Sequence, residues 1–246
     1  MTDSKSQWPG TPYWCDDNSA VYCGDSLEVI KLWPRRSIDL VVTDPPYGAE
    51  FKSGYGQHKA IHGDDDRAAV PGLRAAVLAP LTDGCHAYVF GFQPDELPGL
   101  FTSTADLVWD KGSIGMGDLS LPWGSAHEPI TFGVYYPDQY SKRKQKGNLV
   151  ARQRKGSVLH VPRTNSKQAT RHPTEKPIKL LRQLVESSSS VDDLVCDPFA
   201  GVGSTGVAAV LLNRRAICIE IDESYCAVAA ARLRSASELL TKAVSL

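Results

Sequence analysis

The chain has 246 residues, of which 42% are hydrophobic and 22% are charged, as expected for a globular protein with a substantial core. It contains no apolar run near the ~20 residues of a membrane span, and the first ten residues lack the apolar region of a secretory signal, so we expect a cytoplasmic protein. Six scattered cysteines without a C-x-x-C pair argue against a zinc site and against a disulfide framework.

The net charge of −1 conceals one strongly basic segment. Residues 138–176 contain eleven Lys and Arg against two acidic residues, a balance of +9, so the remainder of the chain carries −10. Concentrated positive charge favours a polyanionic partner, and a solvated surface is the alternative. We predict nucleic-acid contact by seven side chains here: Lys142, Arg143, Lys144, Lys146, Arg152, Arg154 and Lys155.

Strands and helices alternate along the chain after an irregular arm at residues 1–18. Apolar spacing predicts strands at 20–23, 38–42, 87–92, 106–109, 130–136, 158–161, 193–196 and 216–221. It predicts helices at 27–33, 68–81, 95–102, 177–187, 204–212 and 223–240. This order indicates an α/β fold with a doubly wound, mostly parallel sheet.

The strand at 38–42 leads into the turn Asp44-Pro45-Pro46-Tyr47. Pro46 biases Pro45 toward extended geometry, which holds the turn open and lets the Pro45 carbonyl face a ligand. Ligands of α/β sheets bind just outside the carboxyl ends of the strands. A carboxylate and an aromatic ring at such a position favour a ligand site over a purely structural Pro-Pro turn.

A second turn, Asp197-Pro198-Phe199-Ala200-Gly201-Val202-Gly203-Ser204-Thr205, follows a predicted strand and opens a helix. Its glycines allow close backbone approach to a ligand, and Glu220 at the end of the next strand suits the hydroxyls of a ribose. With Gly206 the G-x-G-x-x-G spacing of dinucleotide-binding proteins is formally satisfied. The anionic Asp197, however, suits a sulfonium better than a phosphate, which points to S-adenosylmethionine rather than NAD.

A third motif, His172-Pro173-Thr174-Glu175-Lys176-Pro177, precedes the helix before the cofactor strand. Thr174 and Lys176 offer a hydroxyl and an ammonium to a carboxylate such as the methionine tail of that cofactor. The alternative is a helix-initiating turn with proline in the first turn of the helix.

Together these three motifs, in this order, resemble the DNA amino-methyltransferases of adenine-N6 and cytosine-N4, in the permuted group whose catalytic turn precedes the cofactor turn. The resemblance covers roughly residues 20–235 and implies a Rossmann-like methyltransferase fold with a seven-stranded sheet. Family members often have Trp109, Lys111, His127 and Glu128 in the connecting half, with roles left open here. The cofactor contacts implied are Asp25 (to the adenine), Thr174, Lys176, Asp197, Phe199, Ala200, Gly201, Gly203, Thr205 and Glu220.

The resemblance also implies an organisation around one methyltransferase domain. Its catalytic half would be residues 19–137 and its cofactor-binding half residues 172–246, with the arm at 1–18 in front. The basic insertion at 138–171 would house target recognition. Double-stranded DNA in a bacterial or phage-infected cell is the implied partner, without metal or membrane, and a homodimer stays open.

The expected chemistry is methyl transfer to an exocyclic amine of a flipped-out base. Asp44 and the Pro45 carbonyl would accept the amine N–H groups, Pro46 would hold the turn open, and Tyr47 would stack on the base. Aspartate at position 44 is commoner in adenine-N6 members of the family, so adenine is predicted and cytosine-N4 is the alternative. An NAD-dependent oxidoreductase and an inactive DNA-binding module are the alternatives from other classes.

Overall fold

The computed structural model describes residues 7–45, 78–91, 101–114, 120, 122–136, 155–163 and 175–244. The strands are β1 Trp14–Cys15, β2 Ser19–Cys23, β3 Ile38–Thr43, β4 Leu81–Phe90, β5 Phe101–Asp110, β6 His127–Tyr135, β7 Val158–His160, β8 Leu194–Asp197 and β9 Arg215–Glu220. The helices are α1 Ser26–Val29, α2 Ile178–Ser188, α3 Ser204–Val210 and α4 Glu223–Val244, with a 3₁₀ turn at Ile30–Leu32. Within these ranges no helix has the length and apolar character needed to cross a membrane.

The nine strands of the described residues form one mixed sheet in the order β1-β2-β9-β8-β3-β4-β6-β5-β7. From β2 to β4 all neighbours are parallel, whereas β6 is antiparallel to both β4 and β5. The α/β class is therefore confirmed, but the implied count of seven strands is too low. The eight strands predicted from the pattern are all present, and β1 is the ninth.

The described part of the N-terminal arm, residues 7–18, was expected to be irregular but packs onto the edge of the sheet. Trp14 and Cys15 pair antiparallel with Val21 and Ala20. Trp8 is 4% exposed and donates its indole N–H to the Asp16 carbonyl at 2.8 Å. A two-residue strand has no periodicity of its own, so only the burial of the arm against the rest of the fold reveals it.

Strand β5 begins at Phe101 and occupies the end of the helix predicted at 95–102; the rest of that helix lies outside the described residues. Cross-strand pairing along the whole of β6 decides this conformation, starting from Phe101 opposite Tyr135. Similarly, Leu81 opens β4 rather than ending the helix predicted at 68–81, of which residues 68–77 lie outside the described residues. In both places tertiary pairing overrides the local helical spacing.

Hydrophobic clusters cover both faces of the sheet. Leu40 and Val42 of β3 belong to the cluster that includes α2, α3 and α4, whereas Val41 belongs to the cluster around Ile30 and Trp33. This alternation is what a central strand with helices on both sides requires. Packing on both faces fixes the central parallel strands, whose carboxyl ends all lie at one edge of the sheet.

Candidate active site

The sheet brings the predicted catalytic and cofactor turns to one edge. Asp44 follows the end of β3, Asp197 ends β8 and Glu220 ends β9. Parallel register places these ends side by side, with Asp197 opposite Cys218 in β9 and Glu220 opposite Cys23 in β2. Because β6 runs in the opposite direction, it begins at this same edge, with His127 paired to Asp110.

The glycine turn is built by backbone hydrogen bonds and by Glu220. Gly201 and Gly203 have φ values of +51° and +75°, which lie in the left-handed region that favours glycine. The Ala200 N–H donates to the Ile219 carbonyl at 2.9 Å, and the Gly203 N–H donates to the Ala200 carbonyl at 2.8 Å. Glu220 accepts the Gly201 N–H at 2.9 Å, so its carboxylate fixes the turn that it borders.

Asp197 is a buried carboxylate at the start of the glycine turn, with 5% of its surface exposed. Burial raises its pKa from the ordinary 3.8 to about 6, although hydrogen bonds from the Thr205 hydroxyl and the Phe199 N–H favour the ionised form. The negative charge of the nearby Asp44 raises the pKa of Asp197 in the same direction as burial.

The turn after β2 is tied directly to the cofactor turn. Asp25 is the N-cap of α1 and accepts the Leu27 N–H at 2.8 Å. The adjacent Ser26 hydroxyl is buried and donates to the Pro198 carbonyl. The exposed Asp25 side chain is thereby held beside the glycine turn, where the adenine contact was predicted.

Lys176 forms an ion pair with Asp44, the carboxylate predicted to be catalytic. Its ammonium pairs with Oδ2 of Asp44 and lies 3.0 Å from Oε1 of Glu128. Oε2 of Glu128 lies 2.9 Å from the ammonium of Lys111. Four side chains, two basic and two acidic, therefore alternate across the edge of the sheet.

These ion pairs keep the buried groups charged. Burial disfavours ionisation of Glu128, but the neighbouring Lys176 and Lys111 lower its pKa overall. Burial likewise disfavours the Lys176 ammonium, but Asp44 and Glu128 raise its pKa overall. At neutral pH both groups are ionised.

Several predicted site residues lie outside the described residues. These are Pro46, Tyr47 and Thr174 and, in the basic segment, Lys142, Arg143, Lys144, Lys146, Arg152 and Arg154. Lys155 is described, and its ammonium lies 3.2 Å from Oε2 of Glu186 in α2. The structure therefore brings Asp44, Pro45 and most of the cofactor set together, while the DNA contacts stay predictions.

A comparison of the sequence with protein families is decisive at this point. The family model N6_N4_Mtase, described as DNA methylase, matches residues 106–231, a little more than half of the chain. The chain belongs to this family. Its members are the S-adenosylmethionine-dependent amino-methyltransferases of adenine-N6 and cytosine-N4. The matched range of this DNA methylase includes Lys176, the glycine turn and Glu220.

The proteins that this methylase resembles include enzymes named for adenine and for cytosine-N4. The DNA adenine methyltransferase YhdJ of Escherichia coli (strain K12) is 28% identical over 87% of this chain and 82% of that protein. The structure of an M1.HpyAVI–SAM complex matches with a TM-score of 0.68 and 21% identity, over 87% of this chain and 98% of that one. The cytosine-N4-specific PvuII DNA methyltransferase matches with a TM-score of 0.66 and 19% identity, over 94% of each chain. The solved structures confirm the Rossmann-like fold.

Arg232 of this methylase is a functional candidate that the sequence did not indicate. Its guanidinium donates to Oε1 of Glu175 at 2.7 Å, to the Val202 carbonyl at 2.8 Å and to the Ser204 hydroxyl at 3.1 Å. It therefore joins the segment that carries Lys176 to the glycine turn. An isolated arginine in a long helix shows no motif, so only the folded structure could reveal this contact.

In the glycine turn, Gly203→Ala is expected to destabilise the methylase by more than its backbone conformation alone requires. An added Cβ would lie 2.9 Å from Cβ and 3.2 Å from Cα of Ala229 in α4. A left-handed alanine costs about 1–2 kcal/mol, and overpacking adds about 1–3 kcal/mol. Urea unfolding should therefore show a total loss of about 2–5 kcal/mol.

Gly112→Ala is the matched control for Gly203→Ala. Gly112 has a similar φ of +68°, but nothing lies within 4 Å of an added Cβ. This variant is expected to lose only the backbone term of about 1–2 kcal/mol. Equal losses in the two variants would show that the close approach of α4 to the turn adds no constraint.

Proposed function

We propose that this methylase transfers a methyl group from S-adenosylmethionine to the exocyclic N6 amine of adenine in a flipped-out base of double-stranded DNA. The observation that carries the proposal is the position of Asp44. Its carboxylate stands at the end of β3, at the same edge as the Asp197 turn and within electrostatic range of Asp197. A hydrogen-bond acceptor for the amine thus adjoins a turn suited to the methyl donor.

The amine requires an acceptor because its lone pair is delocalised into the base. Hydrogen bonds from its N–H groups to the Asp44 carboxylate and the Pro45 carbonyl favour a pyramidal nitrogen with a free lone pair. Positive charge develops on this nitrogen during methyl transfer, so a fixed carboxylate stabilises the transition state more than the ground state. By resemblance, Tyr47 would stack on the flipped base.

The residues of the glycine turn fit S-adenosylmethionine. Asp197 is a buried anion, and a neighbouring sulfonium cation would favour its ionised form. Glu220 already accepts N–H groups from Gly201 and Asp222, and a carboxylate has further lone pairs for the hydroxyls of a ribose. Bound at this turn, the cofactor would supply an electrophilic methyl group.

Adenine is favoured over cytosine by the aspartate at position 44, which is commoner in the adenine-N6 members of the family. The adenine-specific relative YhdJ supports the same choice. The structural similarity to the cytosine-N4-specific PvuII enzyme keeps cytosine-N4 as the second candidate. Both reactions would use the same acceptors and cofactor turn.

Nucleoside analysis tests the proposed function. The enzyme is incubated with unmethylated genomic DNA and S-adenosylmethionine carrying a labelled methyl group, and the DNA is digested and analysed by mass spectrometry. Labelled N6-methyl-2′-deoxyadenosine is the expected product. Labelled N4-methyl-2′-deoxycytidine would leave the proposed site unchanged and make cytosine the target base, whereas no labelled nucleoside despite cofactor binding would refute DNA as the acceptor.

We further propose that the basic insertion at residues 138–171 contacts the DNA backbone. Replacing Arg152, Arg154 and Lys155 by glutamine is then expected to weaken DNA binding and to flatten its dependence on salt. Each lost phosphate contact reduces the slope of log K against log salt by about 0.9. Fluorescence anisotropy of a labelled duplex between low and high salt measures this slope.

Three exposed cations elsewhere serve as the control for this experiment. Lys31, Arg36 and Lys242 lie outside the catalytic edge, and the first two form exposed ion pairs of little energetic value. Replacing all three by glutamine should leave the slope unchanged. The same slope for both triple variants would show that the insertion does not contact phosphates.

A further inference from the structure

A row of four charges, Lys111–Glu128–Lys176–Asp44, connects the antiparallel part of the sheet to the proposed acceptor. Lys111 follows β5, Glu128 lies in β6 and Asp44 follows β3. Glu128 is the central anion of this row, because each of its two oxygens lies about 3 Å from a different ammonium. Lys176 is the central cation, because its ammonium contacts the carboxylates of both Glu128 and Asp44.

All four side chains are largely buried, with exposed fractions between 11% and 21%. Buried charges interact strongly because little solvent screens them, and removing one partner leaves an uncompensated charge. The two ammoniums and two carboxylates balance each other. The Phe90 ring, 5.0 Å from the Lys176 ammonium, occupies another side of this cation.

We propose that Glu128 is a positioning residue that acts on Asp44 through Lys176. This proposal rests on the proposed function, in which Asp44 accepts a hydrogen bond from the target amine. An ammonium paired with Asp44 alone would compete for the lone pairs that the amine needs. Glu128 attracts the same ammonium and thereby keeps Asp44 an effective acceptor.

Lys111 neutralises the second oxygen of Glu128, so that Glu128 can attract the Lys176 ammonium without adding excess negative charge to the site. Its ammonium lies 2.9 Å from Oε2 of Glu128, whereas Lys176 contacts Oε1. The same ammonium lies 4.9 Å from the centroid of the Trp109 ring. Glu128 and Trp109 are cross-strand partners in β6 and β5. The orientation of the carboxylate is therefore set by two regular strands rather than by a loop.

Glu128→Gln tests the proposal by removing the charge and retaining the size of the side chain. Turnover at saturating DNA and cofactor is expected to fall about 10- to 100-fold, while KM for DNA changes less than about threefold. Glu128→Asp should recover part of the turnover. Glu238→Gln, an exposed position in α4, is the matched control and should retain wild-type turnover. Wild-type turnover of Glu128→Gln would overturn the proposal.

The charge-balanced variant Lys111→Met/Glu128→Gln separates positioning from charge compensation. It removes one cation and one anion, so it should regain folding stability that Glu128→Gln loses. Because Lys176 then has Asp44 as its remaining partner in the row, turnover should stay low. Recovery of both stability and turnover would overturn the proposal, since Glu128 would then merely balance charge.

A double-mutant cycle provides a measurement that does not depend on activity. Free energies of unfolding are compared for the wild type, Asp44→Asn, Glu128→Gln and the double variant. Because both carboxylates share Lys176, their effects should not be additive. Additive effects would refute the coupling through Lys176, whereas an inactive wild type would refute the proposed function alone.

Discussion

Asp44→Asn is expected to lower turnover by about 10²–10³-fold, the range measured when one preorganised transition-state contact is removed. Asparagine has nearly the same shape, but it lacks the negative charge that opposes the positive charge developing on the amine. The variant should still bind cofactor, because the glycine turn and Glu220 remain intact and Lys176 keeps Glu128 as a partner.

Single-turnover methylation and calorimetric titration with S-adenosylhomocysteine measure these two properties separately. Asp192→Asn, an exposed carboxylate before β8 and far from the catalytic edge, is the control and should behave like the wild type. Full turnover of Asp44→Asn would eliminate Asp44 as the required acceptor. A parallel loss of cofactor binding would assign Asp44 to the cofactor site instead.

Asp197→Asn is expected to stabilise the folded protein at neutral pH. The folded-state pKa of about 6 exceeds the ordinary value of 3.8, so the native state favours the protonated carboxyl. Its stabilising contribution is complete below about pH 4 and is lost as the pH rises through 6. The free energy of unfolding therefore loses about 3 kcal/mol when Asp197 ionises in the folded protein. Asparagine does not titrate, so the variant avoids this loss.

The measurement is the difference in free energy of unfolding between Asp197→Asn and the wild type, determined by urea titration from pH 4 to pH 8. This difference should increase in favour of the variant by about 2–3 kcal/mol between pH 4 and pH 7, and it should be constant above about pH 7. Buried His86, whose pKa is lowered to about 4, also makes stability depend on pH, but it is present in both proteins and cancels. A difference independent of pH would show that Asp197 titrates normally.

A carboxylate that weakens the fold at neutral pH is typical of a residue retained for ligand binding. Asp197→Asn is accordingly expected to bind S-adenosylmethionine more weakly while it folds more stably. Measuring both the free energy of unfolding and the cofactor affinity of Asp197→Asn therefore distinguishes a ligand-binding role of Asp197 from a structural one. An unchanged affinity would assign Asp197 to the packing of the turn.

Much of the fold and of the site could be predicted because it depends on local pattern. Strands β3, β8 and β9 are short β-branched and apolar runs, as expected for strands buried on both faces. Each ends at a polar residue, and parallel strands place such residues along one edge. Asp44, Asp197 and Glu220 could therefore be assigned to one site from their positions in the chain.

The partners of these residues could not be predicted. The prediction that Lys176 contacts the cofactor gave no sign that the fold also pairs it with Asp44 and Glu128, 132 residues and 48 residues away in the chain. Arg232, which joins Glu175 to the glycine turn, carried no sequence signal at all. Contacts of this kind arise from the packing of elements that are distant in sequence.

Local sequence pattern is therefore enough to predict the α/β class, the order of the strands along the chain and the residues at their carboxyl ends, and the three motifs carry the resemblance to the amino-methyltransferases. Three features became visible in the folded chain alone: the antiparallel pairing of β6, the strand in the N-terminal arm and the row of charges that leads to Asp44. Periodicity and turn chemistry act between neighbours in the chain, whereas strand pairing and ion pairs depend on which distant segments meet.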